Sequence, residues 1–72
     1  MKNVVDALRR ATLLLLEDFL QRKWDKRESY IETAEAVIGD RAVSEEIQRQ
    51  AEQLMLLIQD AESLKQQLTE QS

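Results

Sequence analysis

Few residues in this chain have the types and spacing for chemistry. RKWDKR, residues 22–27, gathers four of the ten basic side chains around the single tryptophan. Cations beside an aromatic ring can hold a nucleic-acid backbone and stack a base. One short basic cluster in an acidic chain is a poor footprint for that role, and the bases read better as solvated around a Trp24 that anchors a corner between helices. Glu28, Glu32 and Glu35 share one side of a helix and could in principle hold a cation. Helical di-metal sites add histidine to such carboxylates. This sequence has none, so a solvated acidic face is expected, with no metal and no other cofactor. Ser29, Ser44, Ser63 and Ser72 have no histidine to activate them, and Lys65, near an apolar seam, has Glu62 three residues before it. A single glycine cannot build a phosphate-cradling loop. With no cysteine, neither a thiolate metal site nor a disulfide can form. The sequence predicts a protein that is not an enzyme.

Seventy-two residues make one small domain, near the size at which a single core only just stabilises a fold. The net charge of −4 is unevenly placed. Residues 1–43 balance eight acids with eight bases, whereas residues 44–72 set six acids against Arg49 and Lys65. An acidic chain argues against non-specific binding to nucleic acid or to anionic lipid. Asp6, Arg9 and Arg10 interrupt the region where a signal peptide needs an apolar segment. The longest apolar runs, four and five residues, are far too short to span a membrane. The Leu13–Leu16 run is followed at once by Glu17 and Asp18, not by the basic face of an interfacial helix. A cytoplasmic location is the expectation, consistent with the absence of cysteine.

The elements that would position these residues are all helical. No proline, one glycine and abundant Leu, Ala, Glu, Gln and Arg favour helix almost throughout. The pattern predicts helices over about 4–22, 26–38 and 45–68, with frayed residues 69–72. In the first, Asn3 is a plausible N-cap and Val5, Leu8, Thr12, Leu15 and Phe19 form an apolar stripe at three- and four-residue steps. Asp6–Arg10 and Asp18–Arg22 are spaced as helix-surface ion pairs. Asp25 with Glu28 three residues on has the form of a capping box, which argues for a break near Trp24. One uninterrupted helix over residues 4–38 is the alternative. The second helix would turn Tyr30, Ile31, Ala34, Val37 and Ile38 inward and end at Gly39 in the left-handed C′ position. Asp40 and Arg41 would carry the turn, Ser44 would cap the third helix, and Glu45 and Glu46 would face its positive end. The third seam reads Val43, Ile47, Gln50, Leu54, Leu57, Ala61, Leu64, Leu68, a heptad-like repeat. The fold class is therefore all-α: one domain, 1–72, forming a small antiparallel bundle of three helices, with a long two-helix hairpin as the alternative.

Two apolar runs exceed what one helix face can use. LLLL, residues 13–16, and LMLLI, residues 54–58, each cover about a full turn. Each helix of a three-helix bundle meets two neighbours, which widens its apolar face. A surplus beyond that marks a surface covered by another chain, and Met55 suits such a contact because its side chain is flexible and polarizable. Leu13, Leu14, Leu16, Leu20, Met55, Leu56 and Leu64 are the candidate protein-binding residues. The function expected is a helical protein–protein interaction module, a small chaperone or adaptor that takes an amphipathic helix of a partner into a groove. The alternative is a structural homo-oligomer assembled through its own leucine-rich helices.

LLLLEDFLQRKWD (13–25), ESYIETAEAVI (28–38) and LMLLIQDAESLKQQL (54–68), about half the chain, resemble the FliT-type flagellar export chaperones. The resemblance implies an antiparallel helical bundle that shields a helical segment of an export substrate in the cytosol. It also implies that Trp24 and Asp25 form a corner while Leu54, Leu57 and Leu64 line the third helix.

Overall fold

The chain forms two helices: α1, Lys2–Ala36, and α2, Arg41–Glu70. The computed structural model describes the backbone of residues 2–70 and the side chains of residues 4–70. The all-α class holds, but the architecture is the two-helix hairpin and not the three-helix bundle.

The expected break at Trp24 is absent because nothing there interrupts the backbone ladder. Asp25 is one member of a surface pair, accepting a hydrogen bond from Gln21 Nε2 at 3.3 Å, four residues back along the same helix. A continuous helix has no free amides at this point, so the Asp25–Glu28 spacing caps nothing. Trp24 and Asp25 lie inside α1 and form no corner. Asn3 also falls within α1, with its side chain outside the described set. Of the expected ion pairs, Arg22–Asp18 forms at 2.9 Å, while Asp6 pairs with Arg9 at 3.4 Å in place of Arg10. Helix α2 continues through Thr69 and Glu70, which were expected to fray; Gln71 and Ser72 lie outside the described residues.

The turn differs from expectation in its chemistry. Gly39 has no positive φ, and a Cβ added there would meet nothing within 4 Å. The chain leaves α1 by tightening: the Val37 amide donates to the Thr33 carbonyl at 3.0 Å and the Ile38 amide to Glu35 at 3.3 Å. These bonds satisfy carbonyls at the helix end without a left-handed residue. The Asp40 amide then donates to the Val37 carbonyl at 2.9 Å. Asp40, not Ser44, is the N-cap of α2. Its carbonyl accepts from the Ser44 amide at 2.9 Å, and its Oδ1 accepts from the Val43 amide at 3.3 Å. Those are the two bonds that define an N-cap. With the helix beginning at Arg41, Glu45 and Glu46 fall past its first turn.

Freed from capping, Ser44 is buried and donates its hydroxyl to the Ala34 carbonyl at 2.9 Å across the hairpin. Ala34, Ser44 and Ala51 are small and buried, which lets the two backbones approach near the turn. Further along, Leu20, Ile58 and Ala61 form the central cluster, with Leu16, Phe19 and Trp24 packed against it. Ile58 is fully enclosed, at 0% exposure. Glu17 and Lys65 add an interhelix ion pair at 3.6 Å; both groups are partly exposed, so it contributes little.

Candidate protein-interaction surface

The inward row of α2 is Ser44, Ile47, Ala51, Leu54, Ile58, Ala61, Lys65 and Leu68, each buried or half-buried. Its steps alternate three and four, as near-antiparallel helix packing requires. Four residues of the expected seam belong to it. The other four, Val43, Gln50, Leu57 and Leu64, are each one residue away from the position actually used and are exposed. A one-residue step rotates a side chain by about 100°, which carries Leu57 and Leu64 from the seam to its flank. The same displacement occurs on α1. Leu16, Leu20, Ile31 and Ala34 face the partner helix, while Val5, Leu8 and Leu15 of the expected stripe remain exposed. Ile38, also expected inward, is exposed at the turn.

Those displaced rows meet. On one side of the hairpin, Thr12, Leu15, Leu16 and Phe19 of α1 and Leu57, Asp60, Ala61 and Leu64 of α2 line a shallow groove of about 420 Å³. Leu15 is 70% exposed, Leu57 48% and Leu64 44%. The floor is Ala61 with part of Leu16 and Phe19; the walls are leucines whose apolar surface meets solvent. Toward the turn the face becomes charged. Lys23 Nζ sits 5.3 Å from the Phe19 ring centroid, and Lys26 Nζ 5.8 Å from that of Tyr30. The apolar strip therefore belongs to the open end of the hairpin.

The candidate binding residues are dispersed among different roles. Leu16 and Leu20 contribute to the interhelix packing, and Leu13 and Met55 are half-buried. Leu14 and Leu56 are 66% and 62% exposed. Leu14 is about 160° from Leu16 around α1, and Leu56 about 160° from Ile58 around α2, so each faces away from the hairpin seam. Leu64 alone of the seven is an exposed wall of the groove. Leu15 and Leu57, which wall the groove, were not among the seven candidates because the same spacing that marks them as apolar fits a core seam equally well.

Two of the four residues in the first apolar run, Leu13 and Leu16, and three of the five in the second, Leu54, Met55 and Ile58, are thus buried or half-buried in the hairpin itself. The basic cluster is spread around α1, with the Arg27 guanidinium 5.5 Å from the Trp24 ring centroid and Lys26 over Tyr30. Among the described residues no three His, Cys, Asp or Glu side chains converge as a metal site would need. Likewise, no described helix is long and apolar enough to cross a membrane. Comparison with protein-family models, with curated proteins and with solved structures finds no match to this chain.

Proposed function

We propose that this chain is a non-enzymatic protein-interaction module whose groove between α1 and α2 receives an apolar helical face of another polypeptide. The observation that carries this reading is the one-sided placement of Leu15, Leu57 and Leu64 around a shallow groove of about 420 Å³. Apolar groups at three- and four-residue spacing, Leu57, Ala61 and Leu64 on α2 and Leu15 and Phe19 on α1, suit the ridge of an amphipathic helix, which would gain affinity from the anchors and orientation from charges at the rim. Asp60 beside the groove and Lys23 at its turn-ward end supply such charges. A small cytoplasmic chaperone or adaptor of the FliT-type flagellar export kind is the narrower form of the proposal, with the groove shielding a client helix. Its test is a photo-reactive residue placed at Leu57 in cells that make the protein, with one at exposed Asp18 as control. Position 57 should attach covalently to a polypeptide far more than position 18 does. Equal, background labelling at both positions would refute the reading.

A further inference from the structure

The groove has a matching occupant in the chain itself. Resting on the reading that this groove binds helices, we infer that it is covered by the same face of a second copy, giving a four-helix bundle built from two hairpins.

The first support is surface area. A folded monomer of 8.4 kDa exposes about 4,600 Å². This hairpin exposes 5698 Å², a surplus of about 1,100 Å² over that scaling. If each of two chains covered a surplus of this size, the contact would bury about 2,200 Å² in total, the range of stable dimers.

The second support is complementarity. What fills the groove must present an apolar row at three- and four-residue steps. Val5, Leu8 and Leu15 on α1, in line with Thr12 and Phe19, form such a row over about 21 Å of helix; Leu15 is itself a wall of the groove and Phe19 part of its floor. The surface that needs covering and the surface able to cover it are one patch. A two-fold contact requires that self-complementarity. The lysines over Phe19 and Tyr30 end the apolar strip toward the turn. The two-fold axis therefore passes through the open-end half, where apolar surface meets apolar surface and neither copy sets its leucines against the other's lysines.

Sedimentation equilibrium of the full chain tests this directly, with melting followed at several protein concentrations. The expected result is an apparent mass twice 8.4 kDa and a Tm that rises with concentration. A Leu15→Glu, Leu64→Glu variant should sediment as a monomer, whereas a Leu14→Glu, Leu56→Glu variant, altered on the sides facing away from the seam, should remain a dimer. Wild type that stays monomeric, with a concentration-independent Tm, overturns the inference whether or not either variant folds. Dissociation of both variants alike overturns the assignment of the contact to the groove. If wild type is a monomer while the probe at Leu57 still captures a different polypeptide, the second copy is refuted and the interaction reading stands. If that probe also captures nothing, both fail.

Discussion

At the scale of single residues, stability rests on a few enclosed side chains, and neighbours in sequence differ sharply in what they contribute. Ile58 has no exposed surface, and Leu56, two residues earlier, is 62% exposed. Ile58→Ala removes packed methyl groups and leaves a cavity, so it should destabilise the chain by about 2–5 kcal/mol. Leu56→Ala should change stability by less than about 0.5 kcal/mol. Urea unfolding of the two variants, followed by circular dichroism, checks the contrast. Near the turn, Ser44→Ala leaves the buried Ala34 carbonyl without the hydroxyl it accepts from and should cost about 1 kcal/mol. The sequence marked Ser44 as polar and near a helix start, which suited a cap. Only the geometry of the hairpin gives it a partner on the other helix.

At the scale of elements, the continuity of α1 and the form of the turn each make a prediction. If a helix began after Asp25, Lys26 would occupy its first position, where proline is well tolerated. In the continuous α1, Lys26→Pro removes a ladder bond and its ring clashes with the preceding turn, costing about 3 kcal/mol or more. Loss of helical signal and a lowered Tm are the expected readouts, and a variant as stable as wild type would place a helix start at Asp25. At Gly39 the direction is reversed. Its φ is not positive and there is open space for a Cβ, so Gly39→Ala should stabilise by about 0.4–1 kcal/mol through the unfolded chain. A left-handed glycine would instead make the same change destabilising. Asp40→Ala, which removes the side-chain cap from α2, should cost about 1 kcal/mol. Thermal melts of the three variants, at one protein concentration, separate these outcomes.

The whole molecule is a rod of 59 × 15 × 12 Å with a radius of gyration of 16.7 Å. A compact domain of this length would have a radius near 11 Å. The rod shape follows from spending nearly all residues on two long helices: each can bury one stripe against the other, and every further apolar stripe must face solvent or another molecule. That is why residues that suit a core in a three-helix reading, Leu15, Leu57 and Leu64 among them, become groove walls in the hairpin. An independent solution check is small-angle scattering, where a single hairpin and a pair sharing their open ends differ in both mass and maximum dimension. The pair should give twice the forward scattering of the chain, and its loss in the Leu15→Glu, Leu64→Glu variant should accompany the fall in Tm.

By itself the sequence determined that the chain is helical, that its second half carries a heptad-like repeat and that it has more apolar residues than one seam can use. These properties depend on local propensity and on spacing along the chain, which are written residue by residue. It also determined that the chain turns back near Gly39–Asp40, although the cap it favoured was four residues late. Three things were left to tertiary structure: whether Asp25 starts a helix, which of two adjacent apolar rows faces the partner helix, and where the surplus leucines gather. Val5, Leu8, Leu15 and Phe19 fall on a three- and four-residue repeat through Thr12, as Leu13, Leu16 and Leu20 do in the packed seam of the same helix, so spacing cannot rank them. The choice is made by fit across the hairpin. Ala34 and Ser44 allow close approach at the turn, Ile58 fills the space beside Leu20, and those contacts rotate each helix until Leu15, Leu57 and Leu64 are left at the groove.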